Sequence, residues 1–119
     1  MRKSKPGWVG RGFVIYQPIF HPRVESDVRA AMAHYEHCVP GLGQRFKRTL
    51  YATVDEMLRF SEKSAVKVGA EIRTRLMRPF PYLIFHVVQN GRVFILAVQF
   101  AGRKPEYLQR AVRTRRTEK

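Results

Sequence analysis

Four arginines and a late tyrosine are the side chains that could act on a phosphate group: Arg73, Arg75, Arg78, Arg103 and Tyr107. Cleaving RNA without a metal requires in-line attack by a 2′-hydroxyl, guanidinium donors for the developing charge, and a proton for the leaving oxygen. Arginine clamps phosphate oxygens well, but tyrosine acts as acid or base only when its pKa is perturbed. We favour the simpler interpretation, in which these arginines form a solvated face or a face that meets a partner's carboxylates.

Histidine and cysteine add little further chemistry. His86 would be the general base, but it is predicted to lie within an apolar strand. His34, His37 and Cys38 form an H-x-x-H-C pattern near a predicted helix end, and His34 and Cys38 share a face. Because a fourth ligand and a C-x-x-C partner are lacking, we interpret these residues as a structural histidine pair with a buried thiol. The sequence therefore predicts no metal site and no cofactor.

The charge of the chain indicates an anionic partner. Its 119 residues include 23 Lys and Arg against 9 Asp and Glu, a net charge of +14, which is more than solubility requires. Such an excess favours nucleic acid, the ribosome, an anionic membrane or an acidic protein as partner. A single cysteine, no secretory segment, and no apolar run of the ~20 residues that a membrane helix needs predict a cytoplasmic protein.

The element that must position these residues is a β-hairpin at 80–100. Asn90-Gly91 supplies the positive-φ pair of a type I′ turn between two apolar runs. Both runs are apolar on both faces. In the first run, Leu83, Phe85 and Val87 point to one face, and Tyr82, Ile84 and Val88 to the other. In the second run, Phe94, Leu96 and Val98 point to one face, and Val93, Ile95 and Ala97 to the other. Both faces must therefore be covered. We expect helices on one face, and chain termini, a second copy or a large exposed apolar patch on the other.

Periodicity and turn residues predict the remaining elements. Two apolar stripes at helical spacing, joined through Pro40-Gly41, predict an antiparallel helical hairpin. In order, we predict a strand at 13–20, helices at 22–38 and 42–62, a polar connection at 63–69, a strand at 71–76, the hairpin, and a short helix at 104–115. Because Pro18 lacks an N–H, the first strand should lie at an edge of the sheet or be bulged at Pro18. The result is a two-layer α+β domain at 13–112, in which the helical hairpin packs on an antiparallel sheet, with a flexible basic arm at 1–12 and a frayed basic tail at 113–119.

An ordered set of residues within this framework is similar to a known family. The set comprises His21-Pro22 with Asp27, Tyr35-Glu36, Pro40-Gly41-Leu42-Gly43 with Phe46, Ile72-Arg73, Phe80-Pro81-Tyr82, Ala97-Val98, and Arg103 with Pro105. Spread over about residues 14–108, it resembles the RelE/ParE toxin superfamily of bacterial type II toxin–antitoxin modules. The resemblance implies a toxin neutralised by a cognate acidic antitoxin, whose helix or strand would cover apolar surface of the toxin. A homodimer is left open.

Two branches of this family imply different activities. RelE-like toxins are metal-independent, ribosome-dependent mRNA endonucleases, and Arg73, Arg75, Arg103 and Tyr107 match their basic residues and late tyrosine. ParE-like toxins inhibit DNA gyrase, and Tyr82 follows their pattern where the nucleases have an arginine. We therefore favour the ParE-like branch, with Arg73, Arg75, Tyr82 and Arg103 as candidate contacts for antitoxin or target.

Overall fold

The chain forms one five-stranded sheet with helices on both sides, in a computed structural model that describes residues 17–59, 65–68, 72–89 and 92–118. In order, the elements are β1 (Gln17–Phe20), α1 (Val24–Cys38), α2 (Leu42–Arg59), β2 (Ala65–Val68), β3 (Ile72–Leu76), β4 (Tyr82–Gln89), β5 (Arg92–Phe100) and α3 (Pro105–Glu118). The strand order is β1-β5-β4-β3-β2. The predicted α+β class is confirmed, and the sheet is mixed because β1 runs parallel to β5 while the other pairs are antiparallel.

Both edges of the sheet are short strands, and one of them was not expected. The prediction of a polar connection across 63–69 is wrong at 65–68, where β2 pairs with β3. The register shifts from Val66 opposite Arg73 to Val68 opposite Ile72, so Lys67 is an extra residue in this edge. The predicted edge position of Pro18 in β1 is confirmed. The predicted arm at 1–12, the start of the first strand and the end of the second helix near Glu62 lie outside the described residues.

The predicted hairpin is confirmed, but its alternation is broken once. Gln89 pairs with Arg92, while Asn90-Gly91 between them lies outside the described residues. Phe85 is opposite Ala97 and His86 is opposite Ile95, which leaves Leu96 without a partner on β4. Because of this bulge, Leu96 and Ala97 both face the same side of the sheet. The predicted grouping of Val98 with Leu96 is therefore wrong, and Val98 packs on the other face.

The first face of the sheet is covered by the helical hairpin. The apolar stripe of α2 is buried as predicted, through Phe46, Leu50, Val54, Met57 and Leu58, with Leu42 partly buried. On α1 only Val24 and Ala31 are buried, while Val28, Met32 and Tyr35 pack around the edge of this core. Both helices are amphipathic, and no helix of the described ranges is long and apolar enough to span a membrane.

The second face of the sheet is covered by α3. Of the alternatives predicted for this face, the structure therefore shows cover by a chain terminus. Leu108 and Val112, four residues apart, are buried against the apolar side chains of β3, β4 and β5. The helix continues through Glu118 instead of ending near 115. Residues from Arg113 onward, expected to be a frayed tail, are therefore part of a regular helix as far as residue 118.

A buried ion pair joins α3 to α1 across the edge of β5. The Arg115 guanidinium donates to both carboxylate oxygens of Asp27, at 2.6 and 2.8 Å. Asp27 also accepts the Val98 backbone N–H at 2.9 Å, and Arg115 donates to the Leu96 carbonyl at 3.1 Å. The two side chains are 8% and 9% exposed. The pair therefore satisfies backbone groups of β5 at the bulge, beyond the point where β1 ends.

Candidate functional site

An apolar groove lies between α1, α2 and the end of β1. Its volume is about 500 Å³. Val24, Val28 and Met32 line one wall at helical spacing, and Leu50 and Tyr51 of α2 line the other. Tyr51 is 54% exposed, so much apolar surface of this groove remains in contact with solvent. An apolar cleft of this shape fits the apolar side of a helix from another protein.

The rim of this groove is cationic. Arg29 and Lys47 line it, with Glu25 as the acidic side chain beside them. Glu25 forms an ion pair with Arg29, one helical turn away, at 2.9 Å. Because both side chains are exposed, this pair contributes little to stability. Among the described residues no ion pair involves Lys47, so it is available to a negatively charged group. The groove therefore combines apolar walls with a positive rim.

The tight turn between α1 and α2 sets the geometry of this groove. Glu36 accepts the backbone N–H groups of Gly41 at 2.9 Å and Gly43 at 3.0 Å, which would otherwise lack partners at the start of α2. These two bonds hold the pKa of the Glu36 carboxyl below its usual value, and the bond from Gly41 has the larger effect. Gly41 has a φ of 90°, and a Cβ on Gly43 would lie 2.8 Å from the Met32 carbonyl oxygen. The role of Glu36 was missed in the sequence, although it stands five and seven residues before two glycines.

Arg73 and Arg75 lie on the α1–α2 face of the sheet. Arg73 is opposite His86 and Arg75 is opposite Ile84, which belongs to the core under the helices. Arg75 donates to Glu56 of α2 at 3.1 Å, and its side chain is 19% exposed. Arg75 is thus partly committed to an internal ion pair.

Arg103 and Tyr107 lie together at the start of α3. The Arg103 guanidinium carbon is 4.7 Å from the centroid of the Tyr107 ring, and Tyr107 is 46% exposed. Phe100, 43% exposed, contacts the ring of Tyr82 at a centroid distance of 5.9 Å. Burial raises the pKa of the Tyr82 hydroxyl, an effect that the charge of Arg103 opposes and that of Asp27 supports. This end of the sheet is a partly exposed aromatic and cationic surface.

The four arginine and tyrosine residues of the nuclease hypothesis fall into two groups. Arg73 and Arg75 are on the face that carries α1 and α2, whereas Tyr107 belongs to the helix that covers the opposite face. His86, which pairs with Arg73 across β3 and β4, is fully buried, and its Nε2 has no hydrogen-bond partner among the described residues. Burial lowers the pKa of His86 to about 4. The hydrogen bond with the Ile84 carbonyl opposes this shift, and the positive charges of Arg73 and Arg75 add smaller lowering effects. A neutral, buried imidazole has no access to a substrate.

The histidine and cysteine pattern at the end of α1 is exposed. Cys38 lies on the surface, so the prediction of a buried thiol is wrong, and His34 and His37 are exposed with it. They lie in the last two turns of α1, where the His34 ring contacts that of Tyr35 at a centroid distance of 5.1 Å. Within the described residues, no three His, Cys, Asp or Glu side chains are grouped as metal ligands.

The comparisons with known proteins identify the fold. No family model and no curated protein matches the sequence. Among solved structures, the chain is similar to a chain of the "Chromosomal ParDE TA system from P. aeruginosa", with a TM-score of 0.65 and 14% identity. The match covers 73% of this chain and 97% of that chain. The chain therefore shares the fold of that chain of the ParDE system.

Proposed function

We propose that this chain is the toxin of a type II toxin–antitoxin module. A cognate antitoxin neutralises it, and the free toxin binds and inhibits DNA gyrase without covalent chemistry. The observation that carries the proposal is the fold, since nearly the whole of a chain from a solved ParDE system is matched by this one. The net charge of +14 supports an acidic antitoxin.

The groove between α1 and α2 is the proposed antitoxin site. Its walls are apolar, and Lys47 and Arg29 on its rim favour a segment that carries acidic residues. An amphipathic acidic helix satisfies both conditions. It would bury the exposed parts of Val28, Met32 and Tyr51, which the rest of the described chain leaves uncovered.

The edges of the sheet favour a helix over an added strand. The backbone N–H of His21 donates to the Ile95 carbonyl of β5 at 2.8 Å. Because backbone groups alternate sides along a strand, the nitrogen of Pro18, three residues earlier, faces the open edge of β1, where proline has no N–H to donate. The opposite edge, β2, is four residues long and is interrupted at Lys67. Short, bulged and proline-bearing edges disfavour pairing with another chain.

The placement of the arginines favours binding over catalysis. Metal-free RNA cleavage needs its charged groups around one phosphate, whereas Arg73 and Arg75 lie on the α1–α2 face and Tyr107 belongs to the helix that covers the other face. The ionic contact of Arg75 with Glu56 gives it a structural role. Arg73, Tyr82 and Arg103 remain proposed contacts with antitoxin or target.

The proposal requires a short acidic protein encoded in the neighbouring reading frame, and co-expression with that protein tests the antitoxin site. Expression of the chain alone should stop growth, and co-expression should restore it. Val28→Glu places a negative charge in the groove, so the affinity for the acidic partner should fall at least about tenfold, or about 1.4 kcal/mol. Ala33→Glu, on an exposed position of the same helix outside the groove, is the matched control.

Two results would contradict this proposal. If expression without a partner leaves growth unchanged, the chain is not an active toxin. If the Val28 and Ala33 variants bind the partner equally well and both keep the wild-type circular dichroism, the groove is not the antitoxin site.

A further inference from the structure

The outer side of α3 carries a basic surface that the proposed antitoxin site does not use. Leu108, Val112 and Arg115 turn towards the sheet. At 100° per residue, Arg110 and Arg113 lie about 60° apart on the opposite side of the helix. Both are exposed. The helix is the outermost layer on this side of the described structure.

This surface has a large excess of positive charge. Residues 103–118 carry six basic side chains and two glutamates. Arg115 is neutralised by Asp27 within the protein. In the described chain, neither Arg110 nor Arg113 lies within ion-pair distance of a carboxylate, so both guanidinium groups are available to an external anion.

We infer that the outer side of α3 binds the phosphate backbone of duplex DNA. From residue 109 onward, its exposed side chains are all polar or basic: Gln109, Arg110, Arg113, Thr114 and Thr117. A protein partner would need apolar anchors at the centre of its contact, and these are lacking here. Phosphate contacts need only such cationic and hydroxyl donors.

The same surface favours a duplex over a single strand, and DNA over RNA. Single strands are held by bases stacked on exposed aromatic rings, but Tyr107, the aromatic ring of α3, lies at its first turn with Arg103 over it. The major groove of B-form DNA admits an α-helix, whereas that of A-form RNA is too narrow. A helix of 14 residues, about 21 Å long, reaches several phosphates along a groove.

Salt-dependent binding to a short labelled DNA duplex, measured by fluorescence anisotropy, tests the inference. The test variant is Arg110→Gln with Arg113→Gln, since glutamine has nearly the helix propensity of arginine. The matched control is Arg45→Gln with Arg48→Gln, which removes the same two charges from exposed positions of α2. Losing two phosphate contacts should reduce the slope of log K against log salt by about 1.8. The control should keep the wild-type slope.

Three outcomes would overturn the inference. One is absence of salt-dependent duplex binding by the wild-type protein. Another is an equal change of slope in both double variants, since this would reflect net charge rather than a surface on α3. The third is tighter binding to single-stranded DNA or duplex RNA than to duplex DNA. None of these results bears on whether the α1–α2 groove binds an antitoxin, because α3 covers the other face of the sheet.

Discussion

Replacing Arg115 with methionine should strongly destabilise the fold. The change keeps a long apolar side chain but removes two charge-assisted bonds to Asp27, at 2.6 and 2.8 Å, and the bond to the Leu96 carbonyl. Each charge-assisted bond contributes about 1.5–3 kcal/mol. Breaking a buried pair from one side typically costs about 3–5 kcal/mol because the other charge is left unpaired. We therefore expect the free energy of unfolding to fall by about 3–5 kcal/mol.

Arg29→Met is the matched control, because it breaks the exposed Glu25–Arg29 pair of α1, the helix that also carries Asp27. Glu25 and Arg29 are 80% and 70% exposed, and exposed pairs contribute about 0–1 kcal/mol. Urea unfolding followed by far-ultraviolet circular dichroism gives both values. A second variant, Asp27→Leu combined with Arg115→Met, should recover part of the lost stability by removing the unpaired charge. It should not recover all of it, because the Val98 N–H then lacks its acceptor.

A loss of less than about 1 kcal/mol for Arg115→Met, or no more than for Arg29→Met, would contradict this prediction, since a buried pair would then be worth no more than an exposed one. A double variant that is less stable than Arg115→Met by the full cost of Asp27→Leu would also contradict it, since the two residues would then not be coupled.

Two further predictions concern buried positions. The native pKa of His86, about 4 against 6.5 in the unfolded chain, means that only the unfolded state takes up the proton between these values. Stability should therefore fall by about 3 kcal/mol as the pH drops from 6.5 to 4, and His86→Leu should remove this component in urea titrations at each pH. Gly43→Ala places a Cβ 2.8 Å from the Met32 carbonyl oxygen and should cost about 1–3 kcal/mol in urea unfolding. Gly102→Ala should cost less, because its close neighbour is the exposed ring of Phe100, which can rotate; equal costs would contradict this account.

The local elements were predictable because their signals are local. Stripes at helical spacing predict α1 and α2, and an Asn-Gly pair between apolar runs predicts the hairpin of β4 and β5. β2 was missed because four residues among polar neighbours do not establish a periodicity. The bulge at Leu96 was missed because an extra residue in one strand changes the faces only once the strands are paired.

The contact between Asp27 and Arg115 could have been suspected from the sequence. Asp27 is three residues after Val24 and four before Ala31, both buried on the apolar stripe of α1. Arg115 is three residues after Val112 and seven after Leu108, again on the buried side of its helix. Two opposite charges on apolar stripes indicate a buried pair. Their partnership across 88 residues, however, is set by the tertiary fold and has no local pattern.

The candidate site was only partly predictable for the same reason. Sequence motifs indicated Arg73, Arg75, Arg103 and Tyr107 as separate positions, but only strand register assigns the first two to the α1–α2 face. The groove depends on how far α1 and α2 stand apart, which Gly43 and Glu36 determine at their turn. The sequence predicted both helices but not that Val28 and Met32 would remain partly exposed between them.

DNA supercoiling by purified bacterial gyrase is the measurement that tests the proposed function most directly. Adding the purified full-length protein should inhibit supercoiling in proportion to its concentration, while mRNA in a parallel translating-ribosome reaction stays intact. Adding the antitoxin should restore supercoiling. Unchanged supercoiling, together with codon-positioned mRNA cuts that Arg73→Ala abolishes, would contradict the ParE-like function and assign the chain to the ribosome-dependent nucleases.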